Sequence, residues 1–179
     1  MLSTYHKTII NLIGFSKYDF DHKKNVTIIM DLAKNGSLRN LLLKMKDGAN
    51  INNTIRQIIL AGIARGMKYL HDRSIIHTDL KPENVLISDN YEPIITDFGC
   101  SKEFEFGKSN QQSQFWGTPF YMAPEILKEE EYDRKADVYS FSILMYEVVT
   151  GKDPFPKMNY LVLNKTINDV ISEILKKFE

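Results

Sequence analysis

Cysteine is almost missing from this chain of 179 residues, with Cys100 the single one. An intramolecular disulfide is therefore excluded, and so is a zinc site built on several cysteines. A reducing compartment suits that composition. Net charge is missing too, because 23 basic residues balance 23 acidic ones. Nothing in that balance advertises a surface for nucleic acid or anionic membrane. Short basic clusters such as "DHKKN" read as a solvated hairpin loop. Long apolar runs are also absent. Stretches such as "LMYEVVT" are too short and too interrupted to span a bilayer. The opening "MLSTYHKTII" lacks the apolar core of a secretory signal. The expectation is a soluble, intracellular, cytoplasmic protein with no nucleic-acid partner and no membrane segment, its oligomeric state open.

What is present is an ordinary globular composition, 43% apolar and 26% charged. The length suffices for one well-buried core, or for part of a larger one. "TIINLIGF" and "NVTIIM" are rich in β-branched residues and flank the polar connection "SKYDFDHKK", which predicts an antiparallel pair. "AKNGS" breaks the pattern, and Ser37 is placed to cap a short helix, "LRNLLLKMK". The clearest helix follows "NN", where Ile55, Ile58, Ile59, Ile63, Met67 and Leu70 recur at helical spacing. Its glycines, Gly62 and Gly66, lie four apart and are expected to face a close neighbour. From Ser74 to Thr96 the brief apolar runs "SII", "NVLI" and "PIIT" predict short strands, with "SDNYEP" a turn. "KEFEFGKSNQQSQFW" is poor in aliphatics and reads as a loop. A short helix and a long buried one come next, the latter from about Asp137 to Thr150, ending at Gly151 before Pro154. The tail "NKTINDVISEILKKF" is amphipathic, with Ile167, Val170, Ile171 and Ile174 on one face. No repeat is visible. The helices cover more residues than the strands, so the class is α+β with the sheet at one end.

The chemistry concentrates in "IIHTDLKPENVLI", residues 75–87, where polar groups sit between an apolar pair and an apolar triplet. A loop held by buried strands is a rigid mount for such groups. Asp79 can accept a hydroxyl proton, Lys81 can neutralise phosphate, and the Asn84 amide oxygen can ligate a hard cation. Asp97, in "TDFG", adds a second carboxylate that could share magnesium with Asn84. Those are the parts phosphoryl transfer needs. Taken singly, each has a plainer reading. A loop Asp is commonly a turn former or cap, and His77 reads as a core histidine bonded to backbone. No further His or Cys lies nearby to complete a transition-metal site.

The combination is more specific. "HTDLKPEN", "DFG" thirteen residues after Asn84, "GTPFYMAPE" and "DVYSFSILMYEVVTG" follow in order. This series, from about His6 to Phe155, closely resembles the signature set of protein kinases, in the serine/threonine form. "LIGF", "NGSL" and "DVYSF" resemble the tyrosine-kinase-like group. The resemblance implies a protein-kinase-like fold, with residues 1–33 a remnant of the N-terminal lobe and hinge and residues 34–179 most of the C-terminal lobe. It implies transfer of the ATP γ-phosphate, with Mg2+, to Ser or Thr of a protein substrate. Asp79 would be the base, Lys81 would stabilise the transferring phosphate, and Asn84 and Asp97 would hold magnesium. Thr118 would stand beside the base on the substrate platform. Met30 would be the gatekeeper, Asp31 to Ala33 would offer backbone groups to adenine, and Leu86 would close the pocket. The plain reading of Met30 and Leu86, as core residues, is compatible. His77 and Phe98 resemble members of an apolar spine. Asp137 resembles the aspartate that anchors the catalytic loop, though an N-cap role would also explain it.

Three departures from the family pattern matter. Thr78 stands where an arginine usually pairs with a loop phosphate of about −1.5 to −2 charge. Activation by loop phosphorylation through that contact is therefore not expected, even if Ser101, Ser109 or Ser113 were modified. Second, no glycine-rich loop, third-strand lysine or helix C glutamate is found, and Lys7, Lys23 and Lys24 are misplaced to substitute. Third, the closing helices are missing, with the arginine that would pair with Glu125. If Glu125 is buried, its lack of a partner should cost about 3–5 kcal/mol. Ser142, where the family commonly has Gly, is conservative. The expectation is thus a chain truncated at both ends that alone binds nucleotide weakly and turns over little. The alternative is a catalytically inactive, pseudokinase-like scaffold. Cys100 is expected to be a half-buried thiol of no special reactivity.

Overall fold

A computed structural model describes residues 5–103 and 119–155, together with Ser172 and Ile174. Two β-branched runs form the first hairpin, β1 (Leu12–Ser16) and β2 (Thr27–Met30), with Phe15 opposite Ile28. Its connection is tied by the Asp19 carboxylate, which accepts the Asp21 and Lys23 N–H groups, both at 2.9 Å. The strand expected from residue 8 does not run straight into the hairpin. Residues 8–10 instead bond to Ile95: Ile10 N–H donates to Ile95 O and Ile95 N–H to Thr8 O, each at 2.8 Å. Strand propensity reports a fit to a pleated surface, not the partner. The partner is chosen here by burial, since Ile9 is 7% exposed in the core while Ile13, on the hairpin, is 62% exposed.

The helices follow their caps. Before α1 (Leu38–Lys46), the Ser37 hydroxyl accepts the Asn40 N–H and the Asn40 side chain accepts the Ser37 N–H. This reciprocal pair satisfies two of the orphan donors at a helix start. In front of α2 (Asn53–His71), Asn52 Oδ1 accepts the Ile55 N–H at 2.9 Å. The buried face of α2 carries Ile59, Ile63, Met67 and Leu70, together with both glycines.

Four short strands follow: β3 (Ile75–Ile76), β4 (Val85–Ile87), β5 (Pro93–Ile95) and β6 (Lys102–Glu103). β4 and β5 form a hairpin, and β3 pairs antiparallel with β6. β6 lies inside the stretch expected to be loop. Its two residues are held by Ile75 and Ile76, not by any propensity of their own. The rest of that stretch lies outside the described residues. α3 (Pro124–Leu127) and α4 (Lys135–Thr150) complete the series, and α4 stops at Gly151 in a left-handed conformation, φ +67°. The expected tail helix lies outside the described residues, apart from Ser172 and the buried Ile174. No helix among the described residues is long and apolar enough to cross a membrane.

One apolar cluster joins α1, α2 and α4 to the β4–β5 hairpin through Leu38, Ile59, Ile63, Val85, Ile95 and Leu144. A second gathers Ile76, Met122, Ile126, Tyr132, Ala136 and Ile174. α2 approaches β5 so closely that a Cβ on Gly62 would meet the Pro93 ring, within 2.6 Å of Cδ. One on Gly66 would lie 2.7 Å from both Ile95 Cδ1 and Thr8 Oγ1. At an exposed helical site, Gly→Ala gains about 1 kcal/mol. At Gly62 the rigid proline ring reverses that sign, and Gly62→Ala is expected to destabilise by about 1–3 kcal/mol. Urea unfolding of the variant checks it.

Candidate functional site

The polar loop between β3 and β4 is held from beneath by one carboxylate. Asp137, 1% exposed in the first turn of α4, accepts the His77 N–H through Oδ2 and the Thr78 N–H through Oδ1, both at 2.9 Å. Its Oδ2 also lies 2.8 Å from His71 Nε2, at the end of α2. The N-cap of α4 is Arg134, so Asp137 does not cap its own helix but reaches across to the loop. His77 is fully buried and bonded to backbone at both ring nitrogens, as the plain reading of the sequence expects. Nε2 meets Thr96 O at 3.1 Å, and Nδ1 accepts the Asp79 N–H at 3.3 Å. The Asp79 N–H fixes Nδ1 as the acceptor, so Nε2 carries the proton. Phe98 packs against the same ring, with centroids 5.2 Å apart.

Asp79 is 8% exposed, and its carboxylate gathers the loop's other polar groups. Lys81 Nζ reaches Oδ1 at 3.1 Å and Oδ2 at 2.8 Å. Asn84 Nδ2 donates to Oδ2 and to the Asp79 carbonyl, both at 2.8 Å. A charge so buried needs such partners. With its NH2 group committed twice, Asn84 presents its side-chain oxygen elsewhere as an acceptor. The helical turn Pro82–Asn84 leads directly into β4, and the Thr96 N–H donates to Asn84 O at 2.9 Å. That bond extends the β4–β5 register by one residue, so that Asn84 stands opposite Thr96, the residue before Asp97. Asp97 is exposed, lies in the left-handed region at φ +63°, and accepts the Gly99 N–H at 3.4 Å. Asp tolerates that conformation better than most residues.

The other expected site residues fall around this core. Met30, at the end of β2, is 40% exposed, and Leu86 is half-buried, so neither is a fully buried core residue. The Asp31 N–H closes the hairpin on Asn11 O at 3.3 Å, and Ala33 O accepts the Gly36 N–H at 3.2 Å. Residues 35–37 then dock on β4: Ile87 N–H donates to Gly36 O at 2.8 Å, and Ser37 bridges Leu86. The connection from Met30 to Ser37 is thereby joined to the strand that bears Leu86. Thr118 lies outside the described residues. Glu125 is half-buried, so the condition for a large penalty is not met. Burial, with the Glu125 charge second, pushes the Tyr139 hydroxyl up to about 12. Cys100 is half-buried, and burial followed by the charges of Asp79 and Asp97 pushes its thiol up, away from the reactive thiolate.

Three features escape the sequence. One is His71 as a third partner of Asp137. Another is the Thr78 hydroxyl, which donates to Cys100 O at 2.8 Å. The last is Arg39, which joins Glu83 at 2.7 Å, Glu147 at 2.8 Å and the Tyr121 hydroxyl at 2.6 Å. Tyr121 also bonds Glu147, and burial and that carboxylate push its hydroxyl far up. Partners so distant along the chain leave no local periodicity to read.

Comparison with known proteins gives the family. The model of the family described as protein kinase domain matches residues 1–178. A protein of Acanthamoeba polyphaga mimivirus that carries a serine/threonine-protein kinase/receptor name is 36% identical over 175 residues, 97% of this chain and 10% of that protein. The L-type lectin-domain containing receptor kinase VI.2 of Arabidopsis thaliana is 37% identical over 154 residues, 83% of this chain and 22% of that protein. The serine/threonine-protein kinase AtPK1/AtPK6 of the same plant is 33% identical over 166 residues, 93% of this chain and 34% of that protein. The chain thus spans between a tenth and about a third of the length of these relatives.

Proposed function

Because the chain belongs to the protein kinase family, we propose that it carries phosphotransferase machinery that moves the ATP γ-phosphate to Ser or Thr of a protein substrate. Residues 1–33 then belong to the N-terminal lobe and hinge, and residues 34–179 to the C-terminal lobe. The observation that carries the reading is the convergence on Asp79 of Lys81 Nζ and Asn84 Nδ2, with Asn84 bonded through its backbone to Thr96, next to Asp97 in the chain. In this reading Asp79 orients the acceptor hydroxyl and takes its proton. Lys81, already within reach of that carboxylate, neutralises charge on the transferring group. Thr118 stands beside Asp79 on the substrate side. Met30, the backbone of Asp31 to Ala33, and Leu86 receive the adenine.

The donor set fits Mg2+. Asn84 has its side-chain oxygen turned away from Asp79, and Asp97 is exposed with one oxygen lightly engaged by Gly99. An amide oxygen and a carboxylate are hard donors of the kind that suit an ion that keeps several waters. When bound there, the ion supplies neutralisation of the nucleotide phosphates. No cysteine cluster competes for it, and the single half-buried thiol accords with work in the reducing cytoplasm.

Calorimetry with ATP and magnesium tests the reading on this chain and on Asp97→Asn. The chain is expected to bind the nucleotide weakly and in a magnesium-dependent way. The variant should bind at least tenfold more weakly, the scale of about 1.4 kcal/mol. Equal, negligible heats from both would remove nucleotide binding from the account.

A further inference from the structure

Thr78 is a β-branched residue in the left-handed region, φ +64°, and it is buried. That conformation is unfavourable for such a side chain and persists only where its surroundings hold it. Two bonds hold it here: its N–H to Asp137 Oδ1 at 2.9 Å and its hydroxyl to Cys100 O at 2.8 Å. The second bond continues a pattern. β3 and β6 pair Ile75 with Glu103 and Ile76 with Lys102. In the same register His77 comes next to Ser101, whose hydroxyl approaches His77 O at 3.4 Å. Thr78 then faces Cys100. Two side-chain hydroxyls thus carry the β3–β6 register onward, past the point where the backbone at Thr78 leaves strand geometry. The following step would set Asp79 opposite Gly99, whose N–H is bonded to Asp97.

We propose that the Thr78 hydroxyl is a positioning group that locks the 97–100 turn onto the 77–84 loop, and so fixes where Asp97 stands relative to Asn84. It touches no substrate and acts through Cys100 O. The inference rests on the reading of Asn84 and Asp97 as a shared cation site. It assigns to Thr78 an interaction built into the fold: a neutral hydroxyl within reach of a backbone carbonyl needs no charged partner.

The test uses the 179-residue chain with Thr78→Val, which keeps the β-branch and its strain but removes the donor, and Thr78→Ser, which keeps the donor. Amide hydrogen exchange of residues 98–102 and the magnesium concentration for half-maximal ADP binding are measured for each, with thermal melting as the check on folding. Thr78→Val is expected to exchange about tenfold faster and to need about tenfold more magnesium, while Thr78→Ser stays within about twofold of wild type. If Thr78→Val fails to fold, Thr78→Gly, which relieves the strain and also lacks the hydroxyl, should show the same losses. Wild-type exchange in a folded variant without the hydroxyl, or equal losses in Thr78→Ser, would overturn the proposal. A wild-type chain that takes up no magnesium nucleotide would overturn the kinase reading instead, with the exchange measurement still deciding the hydroxyl tie.

Discussion

Asp137→Ala is expected to lower the unfolding free energy by about 3–5 kcal/mol, with the loop that bears Asp79 loosened in whatever remains folded. The magnitude follows from what the carboxylate serves. It is 1% exposed and accepts two backbone N–H groups, from His77 and Thr78, besides lying 2.8 Å from His71 Nε2. Each buried donor left without an acceptor costs about 1–3 kcal/mol, and water has little access to replace the lost oxygens. Small domains have only about 5–15 kcal/mol in total, so the variant should sit near its unfolding threshold at 37 °C. Asp137→Asn keeps one acceptor oxygen but turns an NH2 toward donors, so about half the loss is expected. Urea unfolding of the three proteins, with unchanged slopes, measures the difference. A loss under about 1 kcal/mol for Asp137→Ala would mean that the loop is held by its apolar neighbours instead.

The contrast between Asp137 and the groups around it shows what a sequence can and cannot disclose. Helix α2 is legible because six apolar residues recur at 3.6-residue spacing behind an Asn cap. Helix α4 is legible at its end, where Gly151 takes the left-handed conformation that glycine allows. Strands are legible as segments but not as partners. Residues 8–10 look like a continuation of β1, yet they serve Ile95, because only the assembled core decides which strand a β-branched run meets. β6 is invisible beforehand, since two residues of a polar stretch carry no period. Within the site, Asp79, Lys81 and Asn84 lie within six residues and their grouping is plain in the letters. The position of Asp97, one residue past the Thr96 that bonds Asn84 O, depends on the register of the β4–β5 hairpin. The link from Thr78 to Cys100, and that from Arg39 to Glu147, depend on packing across 22 and 108 residues, for which no local pattern exists.

Asp79→Asn separates chemistry from binding and carries the largest expected effect on rate. Any γ-phosphate transfer to a generic basic protein acceptor is expected to fall by about 10²–10⁴-fold, the range associated with losing a positioned base. The substitution nearly preserves shape, so the loss cannot be ascribed to a cavity. It does alter electrostatics, because the carboxylate that receives Lys81 Nζ and Asn84 Nδ2 becomes an amide with one acceptor oxygen. Lys81 then loses its ionic partner and Asn84 keeps a single strong bond, to the Asp79 backbone carbonyl. That carbonyl is untouched by the substitution, and Asp97 is bonded elsewhere, to Gly99. Magnesium-dependent nucleotide binding should therefore weaken only severalfold in Asp79→Asn. A kcat loss with a nearly constant affinity is the signature of an interaction made in the transition state, and an affinity loss that of ground-state binding. Asp97→Asn should show the second pattern and Asp79→Asn the first. Were Asp79→Asn to lose nucleotide binding while its remaining turnover kept the wild-type kcat, the two carboxylates would have exchanged roles, and the assignment of Asp79 as the base would fall.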